Sequence, residues 1–302
     1  MTASTFLYRV LAPGLFVPLW STGFIFAKMG MPYAPPLTFL LLRCALVMAL
    51  MLPVALLAGV AWPRGITALR VAAVGVLIYT CYLGGVFVAI GRGMPAGLAA
   101  LIVGAQPLLT AALSARVAGE PIRPLQWAGL LLGFAGIALV LGDRITGPGA
   151  DVLSVATCIA AVVAITVGSL YQKRHNTAID LRSASVIQHA AACLPLLALA
   201  PLLEDMRVDW APGFVFALLW LALVLSIGTM SLYYVLIRRG AAAGVASLFY
   251  LIPPTTAVMG YALFGETLSA AAILGMILAV LGVALVNRSP GADKPARTGQ
   301  PG

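Results

Sequence analysis

Ten runs of apolar residues occupy most of this chain, at 10–27, 37–61, 71–90, 96–117, 125–141, 152–171, 183–203, 211–237, 241–263 and 268–286. Each approaches the roughly 20 residues that an α-helix needs to cross a lipid bilayer. Short breaks rich in Pro, Gly or charge separate them, among them Pro35-Pro36, Gly119-Glu120-Pro121, Lys173-Arg174-His175 and Gly265-Glu266. Only 9% of the 302 residues are charged and 62% are hydrophobic, whereas a soluble domain carries about a quarter charged residues. A water-facing surface cannot be built from that inventory, so lipid is the solvent for most of the exterior. The fold class expected is an all-α integral membrane protein of ten transmembrane helices. The first run has no small-residue cleavage site and reads as a retained helix. Residues 289–302 hold no apolar run and read as a disordered tail.

The stretch Arg92–Val140 recurs, shifted by 146 positions and without a gap, at Arg238–Val286, with 14 identities in 49 pairs. Alanine and leucine matches are cheap in such segments. The informative ones are Arg92 with Arg238, Pro107 with Pro253, Gly119-Glu120 with Gly265-Glu266, and Gly136 with Gly282. Here the repeating unit is five segments, and five is odd, so the second copy enters the membrane from the opposite side. That expectation is two inverted-topology five-helix repeats, at 1–146 and 147–288.

Positive charge agrees with that parity. With the N-terminus in the cytoplasm, thirteen Lys and Arg residues fall inside and four outside (Lys28, Arg92, Arg144, Arg207), while Arg43 lies within a segment. Cations gather on the cytoplasmic side of membrane proteins, so a cytoplasmic (inner) membrane location with both termini in the cytoplasm is expected. The net charge of +9 is explained by this sorting, and no nucleic-acid partner is expected. Cys44, Cys81, Cys158 and Cys193 lie in apolar runs without metal-ligand spacing and read as unpaired thiols. No metal or cofactor is expected.

Trp20 to Lys28 closing the first segment, Arg43 in the second, and a proline followed by Gly-Glu at the close of the fourth and ninth segments together resemble the EamA-type permeases of the drug/metabolite transporter superfamily. The resemblance covers roughly residues 10 to 288. It implies ten helices as two inverted repeats, and secondary transport, often efflux, of small organic solutes through a cavity between the repeats.

Pro107 and Pro253 fall mid-segment at equivalent places, so both helices are expected to kink there. Paired interruptions of this kind point to a transporter's central site. Gln106 beside the first break offers a donor and an acceptor to a polar solute. Polar and aromatic side chains recur at helical spacing: Tyr79 with Tyr82, Ser226 with Thr229 and Tyr233, Ser247 with Tyr250, and Trp20 with Phe24 and Lys28. Inside lipid these turn inward, either to line a cavity or to join helices. The expected substrate-binding set is Trp20, Tyr79, Tyr82, Gln106, Gln188, His189 and Tyr250. Lys28, Arg43, Pro107, Pro253, Glu120 and Glu266 are expected to gate or to hold the structure. Arg43 could instead anchor an anion or snorkel to the interface. His189 could relay a proton or simply be a hydrogen-bonded group. No Asp or Glu lies deep in any segment, so a carboxylate relay for protons or sodium is not expected. The Gly129/Gly133 pair, echoed by Gly275/Ala279, either packs the bundle or mediates a homodimer.

The function expected is a permease, and more specifically an exporter, of small organic metabolites such as amino acids, working by alternating access at a central cavity. A channel or a structural partner subunit is the alternative, though rings of like charge and filter-like glycine loops are absent. A membrane-embedded enzyme is less favoured still, because H-E-x-x-H, G-x-S-x-G and Cys-His constellations are missing.

Overall fold

The computed structural model describes residues 12–92, 94, 99, 102–117, 122–142, 151–176, 178–239, 242–264 and 270–288, and these are all-helical, with no strand. In chain order the helices are α1 (Ala12–Gly30), α2 (Pro36–Leu57), α3 (Gly65–Gly91), α4 (Gln106–Val117), α5 (Pro124–Gly142), α6 (Val152–His175), α7 (Leu181–Leu203), α8 (Pro212–Arg238), α9 (Ala242–Ser247), α10 (Ile252–Phe264) and α11 (Ala270–Arg288). By length and composition five of them can cross a membrane: α2, α3, α6, α7 and α8. Shorter apolar helices cover Ala12–Ala27, Pro124–Leu139 and Ile273–Val286. The outward faces carry large apolar side chains, such as Leu56, Leu194, Leu202 and Leu57, the last 90% exposed. So continuous an apolar exterior suits hydrocarbon, not water.

Eight of the ten expected segments coincide with α1, α2, α3, α5, α6, α7, α8 and α11. The segments expected at 96–117 and 241–263 are not single kinked helices. Around the first proline the chain turns at Gly104-Ala105 and a new helix starts at Gln106. Around the second, a 3-10 turn over Leu248–Leu251 precedes a restart at Ile252. Pro107 therefore sits in the first turn of α4, and Pro253 and Pro254 in the first turn of α10. A missing N–H costs nothing there, because those donors lack intrahelical partners anyway. The two restarts are 146 positions apart, matching the repeat.

Winding is a second departure from regularity. Val76–Tyr82 within α3 and Trp220–Thr229 within α8 are π-helical, again at corresponding places in the two copies. Each stretch reaches across to the other half. Thr80 Oγ1 donates to the Ala192 carbonyl of α7 at 3.1 Å, while Ser226 Oγ accepts from Arg43 Nε of α2 at 2.8 Å. Positions 80 and 226 also differ by 146.

α5 and α11 pack backbone to backbone. A Cβ on Gly129 would lie 2.7 Å from the Gly282 carbonyl oxygen, and one on Gly136 would lie 2.6 Å from that of Gly275. Residue numbers rise along α5 as they fall along α11, so the helices run antiparallel. Exchanging the two copies maps this contact onto itself. The small-residue motif is thus spent within the chain, with Gly133 taken up by the Tyr250 ring.

Loop ends are tied by charge. Glu204, just past α7, accepts from the backbone N–H groups of Leu37 (2.7 Å) and Thr38 (2.8 Å) and from the Thr38 hydroxyl (2.8 Å). It satisfies the free donors at the start of α2, whose own cap position, Pro35, has no side chain to do so. Arg238 Nη2 donates to the carbonyls of Ile179 and Asn176. Asp151 caps α6 through Ser154 N and pairs with Arg92 at 2.6 Å. The Arg92 guanidinium, with the Ser154 bonds, holds the Asp151 carboxyl down at about 2 against its ordinary 3.8. A depressed carboxylate stabilises the fold above its unfolded value and loses that contribution as pH falls toward its folded one. The melting-temperature gap between wild type and D151N is therefore expected to hold from pH 7 to about 5 and to close between about pH 4 and pH 2. It is to be small, since both partners are half-exposed. A gap that widens on acidification would exclude the pairing.

Candidate functional site

α1 and α6 pack on the two helix restarts, α2, α3, α7 and α8 stand beside them, and the bundle interior there is polar and aromatic. Phe16 and Trp20 of α1 pack with Tyr233 of α8 and with Phe249 of the 3-10 turn, at ring-centroid separations from 4.9 Å (Trp20–Phe249) to 5.7 Å (Phe16–Phe249, Tyr233–Phe249). All four are buried. The Tyr233 hydroxyl bonds Ser169 Oγ of α6 at 2.8 Å. Gln106 lies near Tyr233 but outside hydrogen-bonding geometry, and neither its Nε2 nor its Oε1 has a partner among the described residues, although the side chain is fully buried. Tyr82 neighbours both Trp20 and Tyr233.

A second group stands beside the first. The Tyr79 and His189 rings lie 4.1 Å apart, and Tyr79 neighbours Tyr234. Tyr234 donates to Gln188 Oε1 (3.2 Å), and Gln188 Nε2 donates to Gln172 Oε1 (3.4 Å). That same oxygen also accepts from Asn176 Nδ2 (3.2 Å). A polar chain therefore runs from the Arg238–Asn176 contact at the α6–α7 turn inward to Tyr79 and His189. His189 Nδ1 lies 2.8 Å from the Ser185 carbonyl. A carbonyl can only accept, so Nδ1 carries a proton, and in the neutral ring Nε2 is then a bare acceptor. Nε2 is buried and has no partner among the described residues.

Arg43 lies between these groups, 5% exposed. It does not snorkel. Its Nε bonds Ser226, and it sits among Cys44, Tyr79, Tyr82 and His189. Among the described residues no carboxylate pairs with it, and Arg92–Asp151, Arg182–Asp180 and Arg207–Asp205 pair at loops.

Of the expected substrate-binding residues, Trp20, Tyr79, Tyr82, Gln106, Gln188 and His189 are thus brought into one connected interior. Tyr250 is not among them. It is fully buried with its ring on Gly133 of α5, and its hydroxyl has no partner among the described residues. Pro107 and Pro253 are buried at the restarts. Glu120, Glu266 and the side chains of Phe24 and Lys28 lie outside the described residues. Tyr234, Phe249, Gln172 and Ser169 join the interior without having been singled out. Thr166, Ser169, Gln172 and Asn176 recur at helical spacing along α6, a polar stripe in the sequence that would have flagged two of them.

Membrane-length helices, lipid-facing leucines and a buried polar interior at paired helix breaks define a multi-pass membrane protein of the transporter class. The chain belongs to the EamA-like transporter family, which it matches over residues 11–142 and again over 152–288. It is similar to the "Uncharacterized inner membrane transporter YedA" of Escherichia coli K12, at 29% identity over 89% of this chain and 87% of that one. It is also similar to the "Probable amino-acid metabolite efflux pump" of Salmonella typhimurium, at 28% identity over 89% and 91%. A solved protein crystal structure superposes with a TM-score of 0.75 at 24% identity, covering 91% of this chain and 96% of that one.

Proposed function

We propose that the protein is a secondary permease of the inner membrane that exports small organic metabolites such as amino acids. Ten spans, as inverted five-helix repeats over 1–146 and 147–288, rock about the interior site, with both termini in the cytoplasm and 289–302 as a cytoplasmic tail. The carrying observation is that the site draws matched positions from both copies. Arg43 and His189 are 146 apart, as are the helix restarts at Gln106 and Ile252 and the π-helical contacts of Thr80 and Ser226. The antiparallel, self-mapping contact of α5 with α11 supports the inversion. Trp20, Tyr79, Tyr82, Gln106, Gln188 and His189 remain the proposed substrate-contacting set, and Tyr250, packed on Gly133, leaves it. Pro107 and Pro253 let the broken helices move, and Lys28, Glu120 and Glu266 gate or brace the ends. Export is favoured by the name of the Salmonella relative.

Everted membrane vesicles loaded by overexpression are expected to take up radiolabelled amino acids faster than control vesicles, with uptake reduced by Q106A and Y82A. Uptake no faster than in controls, across amino acids and other small metabolites, would sink the reading. Cysteines placed at positions 92 and 238 are expected to label from opposite sides of the membrane. Labelling from one side would remove the inversion while leaving transport standing.

A further inference from the structure

A guanidinium buried in a membrane interior is costly unless a counter-charge meets it. Arg43 has none among the described residues, and Ser226 engages only its Nε. The matching position in the other copy offers the opposite chemistry, because His189 presents Nε2 as an unpartnered, fully buried acceptor. The two side chains are close enough to interact electrostatically. A cation with donors to spare therefore lies near a neutral acceptor, with the Tyr79 ring tilted against the latter at 4.1 Å. We propose that Arg43 takes the carboxylate, and His189 Nε2 the ammonium, of a zwitterionic α-amino acid.

This rests on the transport reading and names the residues that would select its cargo. The pairing follows hydrogen-bond polarity. Arg is donor-only and matches a carboxylate in a planar fork. A bare imidazole nitrogen accepts from an ammonium, and an aromatic face adds cation–π attraction to it. The body of the amino acid would lie toward the Phe16, Trp20, Tyr233 and Phe249 rings, with the unpartnered Gln106 carboxamide beside it. An isolated amine, by contrast, would be carried past an unneutralised Arg43.

The test uses the purified full-length protein with the twenty standard amino acids, each paired with its α-amide and its desamino acid. Binding is read by thermal shift in detergent and flux by proteoliposome counterflow. At least one amino acid is expected to bind, with its amide and its desamino analogue each at least about tenfold weaker. R43Q is expected to abolish the discrimination between acid and amide, and R43K to restore part of it. The wild-type comparison needs no variant to fold. Amides bound as tightly as acids would overturn the assignment, as would R43Q retaining full acid preference. Flux of other solutes with no amino acid bound would overturn it while sparing transport. No flux of any solute would bring down the transport reading and this assignment together.

Discussion

Replacing Gly282 with alanine is expected to lower stability by about 1–3 kcal/mol, and replacing it with leucine to prevent recovery of a monodisperse protein. An added Cβ would stand 2.5 Å from Gly133 N and 2.6 Å from the Gly129 carbonyl oxygen. Both are backbone atoms, so no rotamer change relieves the overlap, and α11 must move away from α5. Moving it forfeits close packing along the whole contact, where packing is the main attraction between helices in lipid. Gly14 is the control. A Cβ there meets nothing within 4 Å, and alanine in a helix interior is better than glycine by about 0.5–1 kcal/mol. G14A should thus be neutral or stabilising in thermal unfolding in detergent. If G282A melts with wild type, α5 and α11 do not meet at this register.

Gln172→Met is expected to be the other large loss, about 2–4 kcal/mol. One oxygen, Gln172 Oε1, accepts from both Asn176 Nδ2 and Gln188 Nε2. Methionine keeps the volume and deletes the acceptor, which strands two buried donors at about 1–3 kcal/mol each. Asn176 keeps a longer contact to the Arg70 carbonyl (3.4 Å), which softens its share. The double variant Q172M/Q188M should be less destabilised than the sum of the singles, because Gln188 then has no donor to strand. Additive losses would mean that α6 and α7 are not joined through this pair.

Much of the plan was legible because its signals are local. Hydropathy runs locate eight helices, and the 146-residue shift pairs Pro107 with Pro253, whereas the match of Arg43 with His189 lies outside the recurring stretch and shows only in the structure. The prolines misled in one respect. Periodicity treats a helix with an internal proline as kinked, whereas the chain here stops and restarts so that the proline occupies a first turn. The π-helical stretches of α3 and α8 left no mark in composition. The bracing role of Glu204 is invisible in sequence, because its partners, the N–H groups of Leu37 and Thr38, lie far away along the chain. Tyr250 looked equivalent to Tyr79 and Tyr82, since a one-dimensional pattern places an aromatic inside without saying which neighbour receives it.

The medium, the helices and the duplication were determined by the sequence alone, because transfer from water to lipid is summed residue by residue and repeats survive as spacing. Which buried groups face one another was decided only in three dimensions. Hydrogen-bond polarity matters at about 3 Å, and no one-dimensional pattern brings Arg43 to Ser226.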